Sequence, residues 1–188
     1  VAYLEMALMA GNLAMPGHEV KAIKQIVWQR PLEIKKSPCE VALHLNHQNH
    51  VTRYEIGSQE NGKYQVHGEG ELIFSENNTK PQPWQSLIAV MSEFKQAIDA
   101  ASLYAEFTKM GIHYGESFQA LQWLKSNGQY TLSFYKLPAS CEKDESVYRL
   151  HPSILDGVLQ TVVGAALSAY PHEDKKLYLP FALGYLWL

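Results

Sequence analysis

The residues best placed to do chemistry lie in LHPSILDGVLQ, residues 150–160. Asp156 and Gln160 stand four apart, so on a helix both side chains fall on one face. The stretch runs on as TVVGAAL to residue 167, and Asp156 is its only carboxylate. A carboxyl held against apolar neighbours has its charged form disfavoured, so its pKa rises and it can stay protonated near neutral pH. A neutral carboxylic acid donates a proton, which makes Asp156 a candidate general acid with Gln160 orienting it. The same residues admit a purely structural reading. With Ser153 as N-cap, Asp156 stands at N3, and Ser-x-x-Asp is a variant of the capping box that also gains from the helix dipole. Two convergent polar groups in an apolar wall favour a small-molecule site over a cap alone.

The element that carries this pair is demanding. Ile154, Leu155, Val158, Leu159, Val162, Val163, Ala166 and Leu167 cover most of the circumference of a helix expected over about 153–169. A helix apolar nearly all round must be wrapped, not laid on a surface. Residues 1–10 read as a second, shorter apolar helix, closed by Gly11. Alternating patterns predict strands at Val20–Trp28 with an extension at Pro31–Ile34, at Val41–Leu45 and Val51–Ile56 around an Asn46–Asn49 turn, and at Tyr64–Phe74. Residues 75–85 carry Pro81 and Pro83 in a polar run and read as a linker. A helical stretch near 86–110, interrupted around Asp99, precedes strand-like runs at Ser117–Leu124 and Tyr130–Leu137 and a charged loop at Glu142–Glu145. Beyond the apolar helix and a loop at 171–176, Leu177–Phe181 and Tyr185–Leu188 begin further strands.

A curved antiparallel sheet around a central helix is a hotdog arrangement. The pattern therefore predicts an α+β double hotdog, with a first half at 1–75, a linker at 76–98 and a second half at 99–188. Val1-Ala2-Tyr3 reads as mid-helix and no initiator Met precedes it, so the first half is expected to lack its first strands and the second its last. The 188 residues are 46% hydrophobic, enough for a sizeable core. A net charge of −3 with no basic stripe argues against nucleic acid as a partner. Cys39 and Cys141 form no CxxC, which argues against a disulfide-stapled secreted domain and against a thiolate metal site. No window has the length and apolarity of a membrane span and no signal peptide is visible, so a cytoplasmic location without membrane contact is expected.

Four ordered stretches together resemble one family. LHPSILDGVLQ is similar to the HPxxLDxxxQ of dehydratase domains from modular polyketide synthases. Val1-Ala2-Tyr3-Leu4-Glu5-Met6-Ala7 resembles that family's first hotdog helix, Gly111–Phe118 its GxxYGPxF, and Leu179-Pro180-Phe181 its LPF, so the resemblance spans nearly the whole chain. It implies a hydro-lyase that removes water from a β-hydroxyacyl chain tethered as a thioester to an acyl carrier protein. The carrier's phosphopantetheine holds the substrate, and no cofactor or metal of the domain's own is implied. Expected partners are the carrier protein, neighbouring synthase domains and, in some systems, a second copy in a homodimer. By this carry-over Asp156 protonates the departing hydroxyl, Gln160 supports it, and Tyr114 lines the cleft. The thioester carbonyl would sit at the N-terminus of the first hotdog helix.

Two departures qualify the resemblance. The family's base is a histidine in HxxxGxxxxP, and His18, His44, His47, His50, His67, His113, His151 and His172 all lack a glycine four residues on. The base is therefore expected upstream of Val1. Glu116 occupies the place of the family's proline; it reads as a tolerated loop substitution, and otherwise as an extra carboxylate near the cleft. Two alternatives share the fold, an isomerase that shifts an enoyl double bond and a non-catalytic dehydratase-like domain. Retention of Asp156 favours dehydration over isomerisation.

The remaining candidates read as structural. His44, His47 and His50 are spaced by three, which on a helix would invite a metal; on a strand–turn–strand they point in different directions. His67 is expected to be a structural strand residue. Glu5 lies on the first helix, where it could face the cleft, but is expected to be solvated or cap-pairing, and His151, held extended before Pro152, to shape the start of the helix.

Overall fold

The computed structural model describes residues 1–34, 38–60, 62–74, 94, 97–127, 130–169 and 179–188, with backbone alone for 166–169. In chain order its elements are α1 (Ala2–Ala14), β1 (Ala22–Trp28), β2 (Ala42–Gln48), β3 (Val51–Glu60), β4 (Lys63–Ile73), β5 (Ala97–Asp99), α2 (Ala100–Lys109), β6 (Leu121–Ser126), β7 (Thr131–Tyr135), α3 (Pro152–Ala169) and β8 (Ala182–Trp187). They form two compact units, one built from Ala2–Lys80 with Leu179–Leu188 and the other from Pro81–Tyr178. Each unit packs helix on antiparallel sheet, the α+β hotdog plan.

In the first unit the sheet order is β2-β3-β4-β1-β8, with every neighbour antiparallel. The period of two works as the sequence requires: Thr52, Tyr54 and Ile56 are buried, and Arg53 between them is exposed. Helix α1 buries Leu4, Glu5, Ala7, Leu8 and Gly11. Full burial of Leu4 and Leu8 contributes about 2 kcal/mol each. Gly11 does not end this helix, contrary to expectation. A Cβ there would lie 2.6 Å from Leu72 Cδ1 and 2.9 Å from Val20 Cγ2, so glycine lets the helix approach the sheet. The helix runs on to Ala14, and Gly17 takes the left-handed turn at φ +81°.

Strand β8 corrects the expected division of the chain. The sequence reading put residues 179–188 in the second half, yet β8 hydrogen-bonds to β1 with Ala22 opposite Trp187 and Val27 opposite Ala182. Such a pairing joins opposite ends of the chain and leaves no trace in local periodicity. The strand expected at Leu177–Phe181 also shifts: Leu179 to Phe181 precede β8, and 177–178 lie outside the described residues.

In the second unit β5, β6 and β7 form a three-stranded antiparallel sheet. Leu103 and Phe107 of α2 meet Leu121 and Leu124 of β6 in its core, with Tyr104, Tyr114, Tyr135 and Val163 packed against them. The interruption expected near Asp99 is a helix cap. Asp99 Oδ1 accepts from the Ser102 amide at 2.9 Å, and Asp99 Oδ2 from the Ser102 hydroxyl at 2.9 Å. Of the linker expected over 76–98 and the helical stretch expected near 86–110, residues 75–93 and 95–96 fall outside the described residues, and Ala97–Asp99 corrects both readings by forming strand β5 before the helix. The strand expected from Ser117 begins only at Leu121, because Glu116–Phe118 folds as a 3₁₀ turn.

Candidate active site

Helix α3 starts two residues earlier than a serine cap would allow. The His151 carbonyl accepts the first intrahelical hydrogen bond, from the Leu155 amide at 3.0 Å, so His151 is the N-cap and Pro152 the first helical residue. The ring completes the cap: His151 Nδ1 accepts from the Ser153 amide at 3.2 Å, and Tyr148 packs edge-on against it at 5.1 Å. The capping-box reading is thereby overturned. Ser153 lies inside the helix, and its hydroxyl donates to the Ser117 carbonyl instead.

Released from the cap, Asp156 faces Gln160. Gln160 Nε2 donates to Asp156 Oδ2 at 2.7 Å, the i, i+4 contact that the spacing predicts. Gln160 is only 2% exposed, and its amide is fully engaged. Its second N–H donates to the Phe118 carbonyl at 3.0 Å, and its Oε1 accepts from the Tyr104 hydroxyl at 3.0 Å. The 3₁₀ turn is thus pinned to α3 through two successive carbonyls, Ser117 by Ser153 and Phe118 by Gln160. That turn follows Tyr114 directly, so the packing of α3 also sets where Tyr114 sits. Gly157 lets α3 lie close to β7, since a Cβ there would lie 3.0 Å from Tyr135 Cδ1.

Burial pushes the Asp156 carboxyl above its ordinary 3.8, and the Gln160 hydrogen bond offsets this only in part. Tyr104 is pushed up to about 12 by burial; the Leu121 amide opposes that shift and the Asp156 charge adds to it. Tyr114 is pushed up to about 12 by burial and then by Asp156. Both phenols therefore stay neutral across the physiological range. Tyr114 packs edge-on to Tyr104 at 5.8 Å and to Phe107 at 5.3 Å. The arrangement is a carboxyl inclined to hold its proton, oriented by a neutral amide, beside an aromatic wall.

Asp156, Gln160 and Tyr114, the three residues singled out by sequence, thus belong to one cluster. Tyr104 was missed. Its signal was a hydroxyl on a stripe, Leu103-Tyr104-Phe107, that otherwise reads as core, since a buried tyrosine hydroxyl needs a partner. Elsewhere, Glu116 is exposed at the start of the 3₁₀ turn. Glu5, expected to be solvated or cap-pairing, is only 5% exposed on α1, which corrects the solvated reading. His67 is buried, its Nε2 2.7 Å from the Ser58 hydroxyl. His44 packs edge-on to Tyr64, His47 Nδ1 lies 2.8 Å from Thr52 Oγ1, and His50 sits in the turn at φ +64°. Among the described residues no group of three or more His, Cys, Asp or Glu could hold a metal ion, and no helix is long and apolar enough to cross a membrane.

Residues 83–188 match the family model of the polyketide synthase dehydratase N-terminal domain. The polyketide synthase PksM of Bacillus subtilis (strain 168) is 32% identical over 200 residues, covering 97% of this chain and 4% of that synthase. ThaG of Burkholderia thailandensis is 29% identical over 86% of this chain and 3% of its own length. A trans-AT polyketide synthase dehydratase domain from Brevibacillus brevis superposes with a TM-score of 0.85 at 27% identity, covering 98% of this chain and 66% of that one. The CurF dehydratase of the curacin synthase gives 0.84 at 26% identity, over 97% and 66%. The related CurK dehydratase has been solved as inactive variants, one His to Phe and one Asp to Asn. The chain thus spans a few per cent of the synthases it matches and about two thirds of the solved dehydratase chains. With the model match extending over more than half of its residues, on a double-hotdog fold, the chain belongs to the polyketide synthase dehydratase family.

Proposed function

We propose that this chain carries the acid half of a dehydratase acting on a β-hydroxyacyl thioester held by an acyl carrier protein. The observation that carries the reading is the Asp156 carboxyl, raised by burial and aimed by Gln160. A base removes the α-proton of the tethered chain, and its electron pair forms the α,β double bond. The β-carbon–oxygen bond breaks as Asp156 delivers its proton, so the hydroxyl leaves as water and Asp156 is left as carboxylate. The Asp156 proton is then restored from the base. A raised pKa suits this role, because the acid must be protonated at working pH to donate. None of the eight histidines fits the family's base pattern, so the proposed base is a histidine outside these 188 residues. Dehydratase domains of polyketide synthases are hydro-lyases, and the inactive His and Asp variants of CurK support a two-residue acid–base division for this chain as well.

The test is Asp156→Asn in the synthase polypeptide, assayed on a β-hydroxyacyl thioester. Loss of the positioned acid should lower turnover by about 10²–10⁴-fold. Retained turnover would refute the role. Incubation with an α,β-enoyl thioester separates the alternatives, since a dehydratase hydrates it or leaves it alone and an isomerase moves its double bond.

A further inference from the structure

The geometry points to Tyr104 as a positioning residue that, together with the Phe118 carbonyl, sets which Asp156 oxygen carries the transferable proton, an inference that rests on Asp156 being the acid. A chain of polarity runs toward Asp156. It begins at the Leu121 backbone amide on β6, which can only donate, and which lies 3.2 Å from the Tyr104 oxygen. With that oxygen accepting, the Tyr104 proton is directed to an acceptor, and Gln160 Oε1 at 3.0 Å is nearer than the Phe118 carbonyl at 3.5 Å. Gln160 must then present its carbonyl to Tyr104 and its NH₂ to the other side. The two N–H groups go to Asp156 Oδ2 at 2.7 Å and the Phe118 carbonyl at 3.0 Å. The Phe118 carbonyl enforces the same sense, because only an N–H can satisfy it.

A side-chain amide can present either end to a carboxyl. Reversed, Gln160 would offer Oε1 and draw the acid's proton onto Oδ2, into a closed hydrogen bond with the protein. In the observed sense Oδ2 already accepts a hydrogen bond, so a proton on Asp156 resides on Oδ1, free to be donated. Tyr104 acts on the reacting atoms only through Gln160. Its contribution is the direction of the Gln160 amide.

Tyr104→Phe removes the hydroxyl and keeps the ring. Two readouts on this chain need no substrate. In the wild type, the Gln160 side-chain amide resonances should follow the Asp156 carboxyl titration read by ¹³C NMR. In Tyr104→Phe the Asp156 titration should move upward, because the Gln160 donor that opposes the shift is no longer held, and the Gln160 amide protons should exchange faster. In the synthase polypeptide, Tyr104→Phe should lower kcat by about tenfold with KM little changed. The alkaline limb of its pH profile, where the acid loses its proton, should move to higher pH. An unchanged Asp156 titration in the folded variant overturns the inference. So do wild-type Gln160 amide resonances that ignore that titration, a measurement available even if the variant does not fold. If Tyr104→Phe shifts the titration while Asp156→Asn leaves turnover intact, the coupling of Tyr104 to Asp156 through Gln160 stands, and the dehydratase reading fails together with any part of Tyr104 in the reaction.

Discussion

Two carboxylates, one in each unit, meet opposite fates at low exposure. Glu71 on β4 is 6% exposed and sits between Lys24 Nζ at 3.0 Å and Arg53 Nε at 3.2 Å. Burial by itself would raise its pKa, but the hydrogen bonds and charges of Lys24 and Arg53 outweigh it and hold the carboxyl below its ordinary 4.5. Asp156 on α3 has one neutral donor, Gln160, and burial prevails. Both acids are hydrogen-bonded, but Glu71 takes two hydrogen bonds, each from a cation, and Asp156 takes one, from a neutral amide. The number and the charge of the donors separate them. A cation fixes a buried carboxyl as an anion and makes it structural. A neutral amide orients a carboxyl and leaves its proton available.

Removing the neutral partner should give the larger effect. Gln160→Leu takes the close donor from the Phe118 carbonyl and the close acceptor from the Tyr104 hydroxyl, leaving between those two only a 3.5 Å contact, at roughly 1–3 kcal/mol for each group poorly satisfied. A net loss of about 3 kcal/mol is expected in urea unfolding, together with a further rise in the Asp156 titration. A loss below about 1 kcal/mol would show that water replaces the amide and that the site is wetter than the burial of Gln160 implies. Breaking the cationic partnership should cost less. Glu71→Gln leaves Lys24 and Arg53 without their anion, but Arg53 is largely exposed and water compensates it, so about 1–2 kcal/mol is expected. The pH dependence is the sharper reading. Because its folded-state pKa is depressed, the stability Glu71 contributes is present above pH 4.5 and is lost as pH falls through the lowered value. Glu71→Gln should therefore flatten the acid side of the stability curve. An acid limb identical to wild type would place that linkage elsewhere.

How much of this was legible in the sequence follows from separation along the chain. The Asp156–Gln160 contact is four residues long, and helical period alone places it. The cap at Asp99 spans three residues and showed as an interruption. Tyr104 lies far from Gln160 in sequence, and nothing local announces that its hydroxyl closes on that amide. The pairing of β8 with β1 joins the two ends of the chain and escaped for the same reason. Ser153 was misread although it is local. Two capping rules competed there, and Pro152, pre-set for the first helical position, moved the helix start to His151. Gly11 was likewise read as a stop, where the approach of Leu72 and Val20 requires its missing side chain.

The smallest predicted effect is the most direct test of the contrast between the two acids, and it is a gain. With the folded-state pKa of Asp156 raised, the favourable contribution of its neutral form is present below the ordinary 3.8 and is lost as pH rises through the raised value. At neutral pH the wild type thus carries a penalty wherever the carboxyl ionises. Asn keeps the shape of the carboxyl, still accepts from Gln160 Nε2, and never ionises. Asp156→Asn should then match the wild-type Tm at acid pH and exceed it slightly as pH rises, the opposite slope to Glu71→Gln. The variant predicted to lose dehydration would be the more stable protein, as expected where a site holds a group against its solvation preference. Melting both proteins between pH 4 and pH 8 decides it. A deficit that grows as pH rises would mean that Asp156 is held in place as an anion after all, and that the two acids differ only in degree.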